Sequence, residues 1–264
     1  MKLKSASNLN SALSNAVSGS AELVQMLNSN LKKYENDPEK IKRLVSKLRR
    51  DFVYFGTVQE YLNRLDKALI SKDSKKLHNY FMQFESGQSD RFKNIYLHAK
   101  PKLKKLKAIT TLSNSATILE ILKLWKKDKG RFTVKILESR PKMDGRILAQ
   151  ELLNYGIKVE LYPDALAAEA VEKSDAVFIG AEMVLKNKSG VNRVGSMNLA
   201  LLCKYHKKPL YMFADKSKFS LKSKFIPDLK PPAELWNYED PNLKVVNKYF
   251  EEVKKNFITQ TFTD

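Results

Sequence analysis

Cysteine, histidine and long apolar stretches are all scarce in this chain of 264 residues. The single cysteine, Cys203, excludes an internal disulfide and a metal cluster built on cysteines. The three histidines are too scattered to form a ligand spacing, so we expect no metal site. No run of about 18 apolar residues occurs, and residues 1–5 lack the apolar stretch of a secretory signal. We therefore expect no membrane span and a cytoplasmic location.

Glycine-rich nucleotide-binding motifs are missing as well. The sequence contains neither the glycine fingerprint of dinucleotide-binding folds nor the lysine motif of the P-loop, so we expect no cofactor. What the chain does contain is a hydrophobic fraction of 43%, which is enough for a sizeable core and argues against disorder.

The chain is strongly basic, with a net charge of +19, of which +12 falls on residues 1–107. Such a charge is compatible with a nucleic acid, an acidic protein or a phosphorylated partner, and also with a solvated lysine-rich surface. The lysines are spread along predicted helices rather than gathered around aromatic residues, which favours the solvated surface and disfavours nucleic-acid binding. The densest cluster of lysines, at 100–107, precedes the first predicted strand. One interpretation is that this segment only links the two parts of the chain.

Two kinds of pattern divide the sequence. Residues 8–98 show apolar positions at helical spacing with little glycine or proline, which indicates a small helical bundle. From residue 107 onward, short β-branched runs alternate with amphipathic segments. The predicted strands are 107–112, 132–138, 157–162, 175–180, 209–214 and 257–262. The predicted helices that alternate with them are 115–127, 143–155, 165–173, 194–206 and 242–254.

This alternation predicts an α/β fold with a Rossmann-like, mainly parallel sheet covered by helices on both faces, preceded by an N-terminal helical domain. We place the helical domain at 1–106 and the α/β domain at 107–264. Ligands of such sheets bind outside the carboxyl ends of the strands, so the residues that follow each strand are the candidates for function.

The loop after the first strand carries Ser113, Asn114 and Ser115, and it opens a helix. Hydroxyl groups and free backbone N–H groups at a helix start suit a phosphate. Capping of the helix by Ser113 or Ser115 explains the same residues without any ligand.

The ends of two further strands add charged residues. Arg140 could hold a phosphate with its planar guanidinium, or it could form a salt bridge with Glu138 or Asp144. After the strand at 175–180, Gly180 allows the backbone to approach a ligand, and Glu182 would lie at the mouth of the site. Burial there could raise the pKa of Glu182 and suit it to proton transfer, whereas the alternative is a carboxylate that caps the next turn.

The segment before the helix at 194–206 offers phosphate donors in Asn192, Arg193, the Gly195 amide and Ser196. After the next strand, Lys216 or Lys218 could reach an anion as a mobile point charge. Each loop alone is a weak signal. Together they favour a small ligand that carries phosphate and hydroxyl groups over a nucleotide cofactor.

These segments resemble a known family. The residues that carry the resemblance are those at 138–141 with Gly145, and those at 178–182, 192–196, 209–211, 218–219 and 257–264. They are similar to the signature regions of the initiation factor 2B alpha/beta/delta family, which includes methylthioribose-1-phosphate isomerase and ribose-1,5-bisphosphate isomerase. The resemblance covers 107–264, and the helical part adds only the motif at 17–20, where Ser18 and Gly19 would contact the ligand.

Three departures from the isomerases affect what the resemblance implies. Ser18 stands where the isomerases carry an arginine, Ser113 where they carry a catalytic cysteine, and Glu182 where they carry a catalytic aspartate. Serine has a far higher pKa than cysteine, and the extra methylene of Glu182 displaces its carboxylate. The Gly-Ala-Glu form is similar to the alpha subunit of initiation factor 2B, which is regulatory and dimeric.

We therefore expect a non-catalytic, initiation factor 2B alpha-like protein that binds a sugar phosphate or a nucleotide phosphate and acts as a homodimer. Translation initiation factor 2 is a partner implied by the resemblance alone. The alternative is an aldose–ketose isomerase of a pentose phosphate, in which Glu182 would transfer the proton and Ser113 would be its weak partner.

Overall fold

The computed structural model describes residues 20–52, 56–70, 74–128, 130–227 and 229–264. The chain divides into two compact units, Met1–Asp90 and Arg91–Asp264. The predictions made for Ser18 and Gly19 lie outside the described residues. None of the helices in the described ranges combines the length and the apolar character that crossing a membrane requires.

The first unit is helical, as the apolar spacing predicted. It contains α1 (Ser20–Lys32), α2 (Pro38–Asp51), α3 (Gly56–Ile70) and the beginning of α4 (Ser74–Leu103). Asp37 caps α2 by accepting a hydrogen bond from the Lys40 amide at 3.0 Å, and Pro38 occupies the first position, where its missing N–H costs nothing. Its core is formed by buried apolar residues at helical spacing, among them Leu27, Leu31, Ile41, Val45, Leu62, Leu65 and Phe81.

The end of α4 belongs to the second unit. Ile95, Tyr96, Ala99 and Leu103 pack in the same buried cluster as residues of the parallel sheet. The sequence placed the division after residue 106, at the start of the first strand, whereas the contacts place it between Asp90 and Arg91. The difference arises because the apolar face of one helix continues through the division, and helical spacing alone does not reveal which core each turn joins.

The second unit alternates strands and helices. Its strands are β1 (Ala108–Leu112), β2 (Thr133–Leu137), β3 (Lys158–Tyr162), β4 (Ala176–Ile179), β5 (Met183–Val184), β6 (Gly190–Arg193), β7 (Leu210–Phe213), β8 (Phe250–Val253) and β9 (Gln260–Phe262). Its remaining helices are α5 (Ala116–Lys127), α6 (Asp144–Asn154), α7 (Ala167–Glu172) and α8 (Ser196–Tyr205). Short 3₁₀ turns span Asp164–Leu166, Lys216–Lys218, Pro232–Glu234 and Lys255–Phe257.

The main sheet has the strand order β3-β2-β1-β4-β7-β9, and every neighbouring pair is parallel. This confirms the predicted Rossmann-like α/β fold. Side chains alternate between the two faces, so Phe178 joins one buried cluster while Val177 and Ile179 join the other. The strand order reverses between β1 and β4, and the carboxyl ends of strands at such a switch point flank a ligand crevice.

A second sheet was not predicted. Strands β5, β6 and β8 form an antiparallel sheet in which Val191 lies opposite Glu252 and Arg193 opposite Phe250. The predicted helix at 242–254 is therefore wrong, because its end is extended and pairs with β6. Cross-strand pairing with a distant segment outweighs the local helical spacing of apolar residues here. As a result, Asn192 and Arg193 end a strand, and α8 begins only at Ser196.

Candidate functional site

Two polar loops meet at the carboxyl ends of β1 and β2. Ser113 and Ser139 have φ angles of 65° and 64°, a region that non-glycine residues rarely occupy outside functional turns. The Ser113 amide donates to Ser139 Oγ at 2.7 Å, and Ser139 Oγ donates to the Leu137 carbonyl at 3.1 Å. The backbone of the loop after β1 is therefore held by a side chain of the loop after β2, close to the start of α6.

Asp144, the first residue of α6, is the most unusual group in this region. It is only 2% exposed, and its Oδ2 lies 2.6 Å from Arg193 Nη2 and 3.4 Å from Ser113 Oγ. Its Oδ1 has no hydrogen-bond partner among the residues that the structure describes. Burial raises the pKa of Asp144, and the Arg193 guanidinium acts in the opposite direction. A buried carboxyl with a raised pKa at a strand end is a candidate functional group.

Arg193 reaches Asp144 from the end of β6 and is enclosed by aromatic rings. Its guanidinium carbon lies 5.2 Å from the ring centroid of Tyr249 and 4.9 Å from that of Phe250. These distances are within the range of cation–π contacts, which favour arginine over lysine. The planar group is thus fixed in orientation by two rings and one carboxylate.

A second cation, Lys142, lies beside the ring of Tyr249. Its Nζ is 2.9 Å from Glu234 Oε1, and Glu234 also accepts hydrogen bonds from the Tyr249 hydroxyl and, at 3.1 Å, from Asn247 Nδ2. The hydrogen bonds with Tyr249 and Glu234 raise the pKa of Lys142. No sequence pattern points to Glu234 or Tyr249, which come from a distant segment, and Lys142 follows the segment 138–141 without a partner that the sequence reveals.

Together these residues line a small cavity. Its lining consists of Ser139, Arg140, Pro141, Lys142, Asp144, Arg193, Val194 and Tyr249. The cavity volume is about 10 Å³, which is roughly the room that one water molecule needs. A larger ligand could enter only if the ion pairs around it opened.

Arg140 does not make either of the salt bridges that the sequence analysis considered. Glu138 pairs instead with Arg146, at 2.8 Å, and Asp144 pairs with Arg193. Arg140 is exposed, and its backbone N–H donates to Asp164 Oδ2 at 2.7 Å. Its location among the cavity-lining residues brings it together with Arg193, as a phosphate site would require.

A closely packed polar group lies between β1, β4 and β6. A Cβ atom at Gly180 would lie 2.5 Å from Ser115 Oγ, so a larger residue there would force the Ser115 side chain to move. Ser115 caps α5 by accepting from the Ile118 amide, as the capping alternative predicted. Asn192 Nδ2 donates to Ser196 Oγ at 2.9 Å, and Ser196 Oγ donates to the Arg193 carbonyl at 2.6 Å. The Ser196 hydroxyl is therefore engaged within the chain.

The start of α8, which was predicted to meet a phosphate, meets a carboxylate of the same chain. Gly195 has a φ angle of 96°, which suits glycine, and it precedes the first helical residue. The Met197 amide donates to Glu251 Oε1 at 2.8 Å. Anionic groups are favoured at helix N-termini, and Glu251 takes that place here.

Glu182 and Lys218 are not among the residues that line the small cavity. Lys218 Nζ donates to the Ala181 carbonyl at 2.6 Å, and the Glu182 amide donates to the Val191 carbonyl at 2.7 Å. Glu182 is half-buried and Asn114 is buried. No group of three or more His, Cys, Asp or Glu side chains that could hold a metal ion occurs in the described ranges.

The fold and the cavity define a class of protein: a doubly wound α/β protein with cations gathered at the carboxyl ends of its strands. The model of the initiation factor 2 subunit family matches residues 3–264. The chain therefore belongs to the initiation factor 2 subunit family, which includes initiation factor 2B-like proteins and sugar-phosphate isomerases.

Two curated relatives represent both branches. An eIF-2B subunit 2-like protein of Pyrococcus horikoshii is 38% identical over 111 residues, which are 42% of this chain and 40% of that protein. The ribose 1,5-bisphosphate isomerase of Archaeoglobus fulgidus is 30% identical over 117 residues, which are 44% of this chain and 37% of that protein. The matched part thus spans less than half the length of each relative.

Solved structures agree over a larger part of the chain. A translation initiation factor eIF-2B of Pyrococcus horikoshii OT3 has a TM-score of 0.81 at 20% identity, and the match covers 99% of this chain and 95% of that one. A tetrameric eIF2B-beta2-delta2 complex from C. thermophilum gives 0.74 at 15% identity, with 94% and 87% covered. At these identities the likeness concerns the fold.

Proposed function

We propose that this chain is a non-catalytic, initiation factor 2B alpha-like regulatory protein that binds a sugar phosphate or a nucleotide phosphate at the carboxyl ends of β1 and β2. The observation that carries the proposal is the convergence of Arg140, Lys142 and Arg193 on one cavity beside Ser139. Three cations at the carboxyl ends of the strands of a parallel sheet can neutralise the negative charge of a phosphate group.

The ligand phosphate would replace carboxylates of the chain itself. In the described structure Arg193 pairs with Asp144, and Lys142 pairs with Glu234. A phosphate that enters would bind the Arg193 guanidinium in place of the Asp144 oxygen. The guanidinium can donate two parallel hydrogen bonds to the phosphate. Opening these ion pairs would also enlarge a cavity that otherwise holds about one water.

The proposal that the chain is non-catalytic rests on Ser113, which stands where the isomerases that this chain resembles carry a cysteine. Ser113 is buried, and its hydroxyl lies against Asp144. A serine hydroxyl is a weak acid and a weak base at neutral pH, so Ser113 cannot return a proton as a thiol could. Glu182 is half-buried and is not among the residues that line the cavity.

The proposed oligomeric state, location and partner are based on the family to which the chain belongs. One solved relative is a tetrameric complex, and family members form oligomers. We propose that this chain forms a homodimer through the α/β unit, acts in the cytoplasm and interacts with translation initiation factor 2. Exposed apolar side chains in the segment 219–246 support an association surface; they are Phe219, Leu221, Ile226, Leu229, Leu235, Trp236, Tyr238 and Val246.

An isomerase of a pentose phosphate is the second candidate, and one observation favours it. Asp144 is a buried carboxyl with a raised pKa, and it lies 3.4 Å from the Ser113 hydroxyl. Such a carboxyl binds a proton more readily than an exposed aspartate does, and it could take part in proton transfer with Ser113 and Glu182.

The binding proposal is tested by thermal unfolding of the full chain with sugar phosphates and nucleoside monophosphates. A ligand at 100 times its dissociation constant should stabilise the native protein by about 2.7 kcal/mol. Arg193→Ala should abolish this stabilisation. Arg146→Ala is the matched control, because Arg146 is an exposed arginine that pairs with Glu138 outside the cavity. Equal stabilisation of both variants would place the ligand elsewhere.

A further inference from the structure

A second and larger cavity lies at the opposite end of the parallel sheet. Lys107 precedes β1 and Arg131 precedes β2, so the cavity is at the amino ends of these strands, away from the candidate functional site. Its lining residues are Tyr96, Lys100, Lys104, Lys105, Leu106, Lys107, Trp125, Asp128, Gly130 and Arg131. Its volume of about 560 Å³ is in the range of small-molecule sites, roughly 300–1,000 Å³.

The charge of this cavity is strongly one-sided. Five of its lining residues are basic, and only Asp128 is acidic. Asp128 is already engaged, since its Oδ2 lies 2.5 Å from Lys100 Nζ and accepts from the Tyr96 hydroxyl at 2.7 Å. Lys107 lies beside a second carboxylate, Asp175, whose Oδ2 accepts from the Lys107 amide at 2.6 Å. Among the described residues, Lys104, Lys105 and Arg131 form no salt bridge.

Helix termini do not account for this excess. Lysines are favoured at helix C-termini, and α4 and α5 both end beside the cavity, at Leu103 and Lys127. Each helix end is equivalent to about half a negative charge. The two ends, Asp128 and Asp175 therefore offset about three of the five cations. About two positive charges remain gathered around one concave surface without a described counter-charge.

One wall of the cavity is rigid. Trp125 stacks on Phe132 with a centroid separation of 3.7 Å and an interplanar angle of 6°. A Cβ atom at Gly130 would lie 2.6 Å from the Trp125 ring, and the Gly130 amide donates to the Trp125 carbonyl at 3.0 Å. Gly130, which precedes Arg131, is thus held close to α5, and this preorganises the position of the cation relative to the lysines at and after the end of α4.

We propose that this cavity is a second anion site that binds a compact polyphosphate. A ligand with several adjacent phosphate groups would neutralise cations that single carboxylates leave uncompensated. The aromatic residues favour a polyphosphate over single-stranded nucleic acid, because Tyr96 and Trp125 are only 4% and 5% exposed and offer no open face for a base to stack on. The site depends neither on Arg193 nor on the function proposed above.

The probe is inorganic triphosphate, titrated calorimetrically into the full-length protein at constant ionic strength. The double variant Lys104→Gln/Arg131→Gln should bind it at least about tenfold more weakly than the wild type, since two charge-assisted contacts are lost. Lys222→Gln/Lys224→Gln is the matched control. It removes the same net charge from exposed positions of the same unit and should bind as the wild type does.

A third variant, Arg193→Ala, separates the two sites. It should retain triphosphate affinity even if it loses the ligand response of the strand-end cavity. The proposal is overturned if the wild type shows no heat of binding at millimolar triphosphate, or if the two double variants are weakened equally, which would indicate bulk charge. It is also overturned if Arg193→Ala alone abolishes binding. Unfolding midpoints equal to that of the wild type verify that Lys104→Gln/Arg131→Gln is folded.

Discussion

The carboxylate of Asp144 and the guanidinium of Arg193 form a 2.6 Å ion pair in which the aspartate side chain is 2% exposed and the arginine side chain 14%. The two residues come from α6 and β6, which sequence spacing does not connect. The pair lies where a phosphate is proposed to bind, so it acts as an internal counter-ion. Whether the ligand must compete with Asp144 is therefore the central question about this site.

Asp144→Asn is expected to increase the affinity for the phosphate ligand. The amide keeps the size of the side chain but removes the charge that competes for Arg193. A hydrogen bond to a charged group contributes about 1.5–3 kcal/mol, so the dissociation constant should fall roughly tenfold or more. Calorimetry with the best ligand of the thermal screen measures this. Glu138→Gln, which removes a carboxylate that pairs with Arg146 instead, should leave the affinity unchanged.

The stability of the protein should depend on pH through Asp144. Its pKa is raised in the folded state, above an unfolded value of about 3.9, so its protonation favours folding. The resulting stabilisation is fully present below about pH 3.9 and is lost as the pH rises through the folded-state pKa. Relative to Asp144→Asn, the wild type should thus gain stability as the pH falls from 7 towards 4. Urea unfolding at several pH values measures the difference, and a slope of the opposite sign would mean that Arg193 outweighs burial.

Gly145 should not tolerate alanine. A Cβ atom there would lie 2.0 Å from the Leu137 carbonyl oxygen, a backbone atom at the end of β2 that cannot easily move. Overpacking of this kind costs about 1–3 kcal/mol, and here the start of α6 with Asp144 would shift too. Gly87→Ala is the control, because nothing lies within 4 Å of its Cβ position on α4, and it should be neutral or stabilising. Equal urea midpoints for the two variants would contradict this packing argument.

Much of the fold could be predicted because each strand of the main sheet is a short apolar run between polar turns. The pattern located β1 to within one residue and placed Ser113 and Gly180 at strand ends. It missed β5, β6 and β8, because they are only two to four residues long and are defined by pairing with each other, which for β6 and β8 joins segments far apart in the sequence. Of the cations that line the cavity, the sequence pointed to Arg140 and Arg193 but not to Lys142. The pairing of Lys142 with Glu234 could not be predicted, because the two residues are 92 positions apart.

The protein should be a dimer at micromolar concentration. Strand β9 is an edge strand of the main sheet in the part of the chain that the structure describes, and the segment 219–246 exposes many apolar side chains, with Leu221 at 91%. Light scattering should give about twice the chain mass of 30.3 kDa. Trp236→Ser should shift the equilibrium towards monomer, whereas Leu153→Ser, an equally exposed residue outside the segment, should not. A monomer mass for the wild type would refute the homodimer.

Isomerase activity on ribose-1,5-bisphosphate and methylthioribose-1-phosphate should be negligible. Aldose–ketose isomerisation needs one group to remove a carbon-bound proton and another to return it, and each such group contributes about 10²–10⁴-fold. Ser113 replaces the cysteine that the resemblance implies, and its hydroxyl lies against the Asp144 carboxyl. Product formation by the wild-type protein should therefore be far below about 1 s⁻¹.

Replacing Ser113 with cysteine tests whether the site can bind and orient an isomerase substrate and lacks only the thiol that would transfer the proton. Ser113→Cys should gain activity, and Ser113→Cys/Asp144→Asn should gain more, because a neutral neighbour no longer opposes formation of the thiolate. Glu182→Gln in the same background should abolish the gain if Glu182 is the second proton-transfer group. If instead the wild type turns over at about 1 s⁻¹ or faster and either Glu182→Gln or Asp144→Asn abolishes it, the protein is an enzyme. Loss with Asp144→Asn would then identify the buried carboxyl at the start of α6, rather than Glu182, as the proton carrier.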